Sequence, residues 1–280
     1  MNAETLGARR VRALLDAHGV RPSRARGQNF VIDPNTVRKV VAAARVSPQD
    51  RVIEIGPGAG SLTLGLAAAA RSVVAIELDK GLIAVLEESL AGVDNVEVVH
   101  GDAMRIGLEE LGAAHLVANL PYNIAAALVL KVLCDAPSIE TLTVMTQREV
   151  GERLVAGPGS RVYGQPSVIA ALFATAEIAQ RVSRRAFYPV PRVDSVVVRL
   201  VRRPYPGEMD AGRVTAVVRA AFGRRRKTLR NALASLAGGV GEAEAALLAA
   251  GIDPAARAEQ LGVAEFVAVA SALSRRAPST

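Results

Sequence analysis

The sequence predicts a doubly wound α/β fold followed by a small all-helical C-terminal domain, and three observations carry that prediction. Between residues 51 and 147, short β-branched runs apolar on both faces alternate with segments of helical period. That alternation specifies parallel strands buried between layers of helices. A glycine-rich turn, "GPGAG" (56–60), joins the first of these strands to the helix after it. Near "RRPYPGEMD" (202–210), two prolines and a glycine break the pattern, and only helical segments follow. The expected domains are therefore 1–203 and 204–280.

In order, the expected strands are "RVIEI" (51–55), "SVVAIEL" (72–78), "VEVVHGD" (96–102), "HLVANL" (115–120) and "TLTVMTQ" (141–147), with two more around "AEIAQRV" and "VDSVVVRLV". The helices between them are "SLTLGLAAAA", "KGLIAVLEESLAG" and "IAAALVLKVLCDA". The C-terminal helices are expected at 211–222, 226–237, 242–250 and 263–274, punctuated by Gly238, Gly239 and Gly241.

Composition bounds the function. Half of the 280 residues are hydrophobic but only 3% are aromatic, so Ala, Val and Leu must build the core. No apolar run reaches the roughly 18 residues of a membrane span, and "MNAETLGARRVRALLDAHG" lacks a signal-peptide core. The single cysteine, Cys134, excludes an internal disulfide framework and fits a plain core position in a reducing compartment. A cytoplasmic protein is expected, monomeric and with no membrane partner. The net charge of +7 and the pI near 10.1 favour an anionic partner, nucleic acid first among them. "RAAFGRRRKTLR" (219–230) holds six basic residues and no acid, and "RVSRRAFYPVPRVDSVVVRLVRR" (181–203) is nearly as one-sided. Arg224, Arg225, Arg226, Lys227 and Arg230 are the expected phosphate contacts, against the plainer reading of a solvated helix start.

The strand ends carry the cofactor reading. Gly56, Gly58 and Gly60 form G-x-G-x-G, one residue short of the dinucleotide fingerprint G-x-G-x-x-G. Glu77 ends the second strand about 20 residues on, where an acid holds ribose hydroxyls. Asp102, ending the third strand, is positioned for an adenine amino group. Taken singly, each acid reads more simply as a surface or capping residue. Together they point to a nucleoside cofactor, S-adenosylmethionine rather than NAD.

The fourth strand then ends in "NLPYNI" (119–124). Asparagine is costly to bury unpaired, and proline cannot donate to a ladder. An ordinary polar turn would account for both, but beside a nucleoside site the chemistry fits methylation of an exocyclic amine. The Asn119 amide oxygen, with the carbonyl of Leu120 or Pro121, can accept both amino hydrogens and aim the nitrogen lone pair at a methyl donor. Tyr122 can stack on the base. The sulfonium is already activated, so no strong base is needed. His18, His100 and His115 show no metal-ligand spacing, and no metal is expected.

"GQNF" (27–30), "EIGPGAGSLT" (54–63), "NLPYNI", "QREVGERLVAGPGSRVYG" (147–164), "FYPVPRVDSVVVRL" (187–200) and "FGRRRKTLRNAL" (222–233) occur in that order. The set closely resembles the bacterial 16S rRNA adenine N6,N6-dimethyltransferases, the kasugamycin-susceptibility enzymes, from about residue 20 to the last helices. The resemblance implies a Rossmann-like methyltransferase domain and four methyl transfers to two adjacent adenosines near the 3′ end of 16S rRNA in the small ribosomal subunit. It places cofactor contacts on Asn29, Val31, Gly56, Glu77, Asp102 and Asn119, with Gly58 in the same turn. The target adenine falls among Asn119, Leu120, Pro121, Tyr122 and Phe187, the last as a second stacking face rather than a core plug. Val31 stands where the family pattern has leucine. The related 23S rRNA adenine methyltransferases of macrolide resistance share much of this pattern. A non-catalytic RNA-binding assembly factor, or more distantly a nicotinamide oxidoreductase, would share less.

Overall fold

A computed structural model describes residues 6–23, 26–205, 209–223 and 227–276. The chain divides into two compact units, 1–151 with 176–202 and 152–175 with 203–280. The expected boundary at 203/204 leaves 152–175 with the first unit, whereas the structure groups that segment with the C-terminal helices.

The first unit is built on a seven-stranded sheet. In chain order its elements are α1 (Ala8–Ala17), β1 (Phe30–Val31), α2 (Pro34–Ala44), β2 (Arg51–Ile55), α3 (Ser61–Ala67), β3 (Ser72–Glu77), α4 (Lys80–Ser89), β4 (Val96–His100), β5 (His115–Asn119), α5 (Ala125–Asp135), β6 (Thr141–Gln147), α6 (Arg148–Leu154), α7 (Gln165–Phe173), β7 (Ala174–Val182), β8 (Phe187–Tyr188) and β9 (Ser195–Arg202). Of these, the end of α6, α7 and the start of β7 belong to the second unit. The strand order is β4-β3-β2-β5-β6-β9-β7. Strands β2 to β6 are parallel, and β9 runs antiparallel to β6. From β2 the chain steps outward to β3 and β4, then returns across to β5 and β6. The crevice where this order reverses, at the carboxyl ends of β2 and β5, is where open α/β sheets bind ligands.

Local chemistry explains the helices that position this crevice. Asp33 caps α2, accepting from the Asn35 and Thr36 amides at 3.2 and 3.0 Å, with Pro34 in the first turn. Asp79 caps α4 through the Gly81 amide. Apolar layers cover both faces of the sheet. Val37, Val40, Leu62 and Leu66 meet Val52, Val73 and Val117 on one side, and Leu14, Leu15, Leu82 and Leu86 meet Phe30 and Ala75 on the other.

At the far end of β9, the Arg202 guanidinium donates to the carbonyls of Leu133, Ala136 and Ile139, each at 3.0 Å, and to that of Val132 at 3.4 Å. It thereby ties the end of α5 and the turn after it to β9, supplementing the backbone bonds that the Val132 and Ala136 carbonyls already accept. Charged donors contribute more than neutral ones. Arg202→Met keeps the stem and removes all four bonds, and is expected to lower stability by about 2–3 kcal/mol in urea unfolding.

The second unit contains α7, α8 (Ala211–Gly223), α9 (Leu229–Ala237), α10 (Val240–Ala249) and α11 (Val263–Arg276). Tyr163 explains why 152–175 joins it. The residue is buried, its hydroxyl donates to the Leu261 carbonyl at 2.8 Å, and burial pushes its pKa up to about 12. Its ring meets Phe222 edge-on, and Phe222 in turn packs on Phe266. No single helix among the described residues is long and apolar enough to cross a membrane.

Candidate active site

At the reversal point a cavity of about 580 Å³ is lined from three directions. Its floor is the turn after β2, its walls are the ends of β3 and β5, and its roof is the strap at residues 26–31. Gly58 adopts φ +59°, and a Cβ there would stand 2.8 and 2.9 Å from two ring carbons of Phe30. Only a residue without a side chain lets the turn and the strap close on each other. Gly27 is similar: at φ +68° its missing Cβ would lie 3.1 Å from the Tyr122 amide nitrogen.

The strap is held at both sides. Arg26 pairs with Asp79, and Gln28 Nε2 donates to the same carboxylate at 2.8 Å. On the other side Asn119 Nδ2 donates to the Asn29 carbonyl at 2.8 Å. That bond leaves the Asn119 amide oxygen as an acceptor. The Pro121 carbonyl accepts from the Ile124 amide, whereas the Leu120 carbonyl accepts no hydrogen bond among the described residues. Of the two carbonyls the sequence leaves open, Leu120 is the free one. Tyr122 is half-buried and its hydroxyl lies 2.9 Å from Ser195 Oγ. Burial raises its pKa above the ordinary range, and the Ser195 contact opposes that.

Below the strap sit two carboxyls. Glu77 accepts from the Gly58 amide at 3.1 Å and the Asp79 amide at 2.8 Å. Burial still raises its pKa, against those two bonds. Glu54, inside β2, is almost wholly buried, and burial pushes it up to about 8, with the Glu77 charge adding to the effect. The neighbouring Thr63 hydroxyl opposes that shift, while Glu54 Oε2 and Ser61 Oγ, both in the cavity lining, have no partner among the described residues. A buried polar atom without a partner is costly, so these atoms face a ligand or a water that completes them. Sequence reasoning missed Glu54 and Ser61, because a charge within an apolar strand and a serine opening a helix carry no distinguishing signal.

Asn29, Val31, Gly56, Gly58, Glu77, Asn119, Leu120, Pro121 and Tyr122 all line the cavity. Two expected residues do not. Asp102 accepts from the Met104 amide at 2.9 Å and lies 3.6 Å from the Arg105 guanidinium, which makes it the cap of its own turn, outside the lining set. Phe187 is fully buried in the apolar layer with Val31, Val37 and Val40, so it offers no face to a base and the core-plug reading holds. Arg224, Arg225 and Arg226 lie outside the described residues. Lys227 is exposed, and exposed Arg230 pairs with Glu244 at 3.5 Å.

The model of the family described as ribosomal RNA adenine dimethylase matches residues 21–275. The chain belongs to the ribosomal RNA adenine dimethylase family. As the motifs implied, this dimethylase-family chain is an enzyme with a Rossmann-like methyltransferase fold. The ribosomal RNA small subunit methyltransferase A of Streptomyces coelicolor is 50% identical to it over 273 residues, covering 95% of this chain and 96% of the relative. That of Thermobifida fusca is 49% identical over 267 residues, 93% of each. Among solved structures, a dimethyladenosine transferase from Plasmodium falciparum superposes with a TM-score of 0.76 at 25% identity, covering 88% of this chain and 98% of that one. The 23S rRNA methyltransferase ErmE gives 0.67 at 30% identity, covering 88% and 100%.

The methyl donor of such an enzyme is S-adenosylmethionine, and the residues present fit it on two counts. The Gly56–Gly60 turn makes room for backbone to approach a ligand closely. The unpartnered Glu54 and Ser61 oxygens, with Glu77 beside them, form an acceptor-rich lining suited to a cationic ligand with hydroxyl and ammonium groups.

Proposed function

We propose that this enzyme methylates N6 of two adjacent adenosines near the 3′ end of 16S rRNA, within the small ribosomal subunit, to give N6,N6-dimethyladenosine. The observation that carries the reading is the rim of the cavity. There, an Asn119 amide oxygen, an uncommitted Leu120 carbonyl and a Tyr122 ring stand together above the cofactor space.

Bound S-adenosylmethionine supplies a methyl group on a sulfonium, activated without help from the protein. The protein's task is to present the amine. The Asn119 oxygen and the Leu120 carbonyl accept the two N6 hydrogens, which turns the lone pair out of conjugation and toward the methyl group. Pro121, directly after these acceptors, restricts the backbone that carries the Leu120 carbonyl. Tyr122, tethered by Ser195, supplies a stacking face, an interaction worth about 1–3 kcal/mol per base. Glu77 and Glu54 hold the donor from below. The strap at 26–31 excludes water from the methyl group's path.

The small-subunit assignment draws support from relatives of that name at about half identity, against 30% for the 23S enzyme. The test is to incubate the protein with labelled S-adenosylmethionine and unmethylated small or large subunits, then identify the labelled nucleoside. N6,N6-dimethyladenosine in the small subunit alone is expected. Label in the large subunit would move the enzyme to the resistance type, and binding without label would make it a non-catalytic factor.

A further inference from the structure

The arginines of the second basic run of the sequence, 181–203, are not used by the site described above. The first part of that run, 183–194, forms the connection from the end of β7 through β8 to the start of β9. β9 is antiparallel to β6, with Ser195 opposite Gln147, so the connection lies at the same carboxyl edge of the sheet as the cavity. Three contacts tie it to the rim. Phe30 and Val31 of the strap pair with Tyr188 and Phe187, the Ile32 amide donates to the Ala186 carbonyl at 2.9 Å, and Ser195 holds the Tyr122 hydroxyl.

The loop's base is pinned and its surface is free. The Asp194 carboxylate accepts the Arg184 amide at 3.0 Å, and the Asp194 carbonyl accepts the Arg148 amide at 3.1 Å. Asp194 is the only acid between 181 and 203. Arg184, Arg185 and Arg192 are exposed, and none of their guanidinium groups makes an ion pair among the described residues. Arg184 only reaches the Arg192 carbonyl, at 3.4 Å. Arg12 lies 4.6 Å above the Tyr188 ring and adds a fourth positive charge on this side. Across the rim, by contrast, Arg26 is neutralised by Asp79. Between the arginines, Val190 and Val193 are 57% and 45% exposed. Scattered exposed valines are ordinary, but here they alternate with unpaired arginines on a pinned loop beside a base-stacking ring.

We propose that the Arg184–Val193 loop is the docking surface for the single-stranded RNA flanking the target adenosine, with Arg184, Arg185 and Arg192 on its phosphates and Val190 and Val193 against the splayed nucleotides. The loop and the basic run at 224–230 then have separate duties. The loop holds the few nucleotides that must be unstacked for N6 to reach the Asn119 oxygen, and it needs no base-specific contact to do so. This rests on the proposed function.

The test uses the full-length protein with Arg184, Arg185 and Arg192 all changed to Ala. Its probes are unmethylated small subunits and a short single-stranded oligoribonucleotide holding two adjacent adenosines. Arg45→Ala with Arg71→Ala, at the amino edge of the sheet, serves as the control. Each phosphate contact on a single strand contributes about 0.7 to the slope of log affinity against log salt. The triple variant is expected to lose at least tenfold in affinity for both probes and about two in slope, with S-adenosylmethionine affinity and control behaviour unchanged. Wild-type affinity and slope in the triple variant, or an equal loss in the control, would overturn the proposal. If wild type methylated no rRNA at all, the functional reading would fall, and the oligonucleotide measurement would still decide whether the loop binds RNA.

Discussion

Asn119→Ala is expected to reduce single-turnover methyl transfer by at least about a thousandfold, the scale on which a preorganised hydrogen-bonding group acts at a reacting centre. The substitution removes the oxygen that we propose accepts an N6 hydrogen, and the Nδ2 donor that holds the strap at Asn29. The two roles separate by measurement. Loss of the strap bond is expected to weaken S-adenosylmethionine binding by no more than about tenfold, the worth of one ordinary hydrogen bond. Loss of the acceptor acts on kcat alone. Asn119→Asp retains acceptors but cannot donate to Asn29, and its charge disfavours the turn beside Glu77 and Glu54. Binding of unmethylated subunits is expected to stay within about threefold, because phosphate contacts dominate that term. Near-normal single turnover by Asn119→Ala would remove the residue from the chemistry.

That Asn119 was legible in the sequence follows from local physics. A polar amide and a proline at the end of a buried strand contradict the surrounding pattern, and Gly56 and Gly58 mark a turn whose left-handed backbone favours glycine, with no room for a side chain at Gly58. All of them meet at the cavity because parallel strands separated by helices must end on the same edge of the sheet. The strand and C-terminal helix assignments were readable for the same reason, since periodicity is a local signal. Residues whose role depends on distant partners were not readable. Asp102 follows a strand end just as Glu77 terminates one, yet it satisfies the turn that follows it while Glu77 turns to the Gly58 amide. Phe187 stands in a rigid proline-rich segment whose pairing with β1 buries it, a pairing set more than 150 residues away by Val31. The clasp of Arg26 and Gln28 on Asp79, and the Tyr163 contact that draws 152–175 to the C-terminal helices, are likewise long-range. α1 and α2 went unread although each has a continuous apolar face, Val11, Leu14 and Leu15 in one and Val37, Val40 and Ala44 in the other, with the basic residues on the outside.

Glu54→Gln is expected to change the pH dependence of the protein more than any other single substitution at the site. The Glu54 carboxyl has an ordinary pKa of 4.5 when exposed in the unfolded chain and about 8 in its buried position in β2. The folded state therefore binds more protons than the unfolded one between these values, and stability falls as pH rises through that window. The stabilising contribution is complete below about 4.5 and gone above about 8. Glutamine mimics the neutral acid and carries no such dependence. Unfolding free energies of wild type and variant are expected to diverge between pH 5 and pH 8 by on the order of 3 kcal/mol, with the variant the more stable at the upper end. Ligand binding runs the other way. A cationic methyl donor prefers the ionised carboxylate, so wild-type affinity for S-adenosylmethionine is expected to rise by up to about tenfold per pH unit between 6 and 8. The Gln variant should show a flat profile and weaker binding at pH 8. The opposed slopes distinguish a carboxyl kept for the donor from one that merely fills the strand: the first destabilises the empty protein where it binds best, and the second would leave the affinity profile unchanged when replaced.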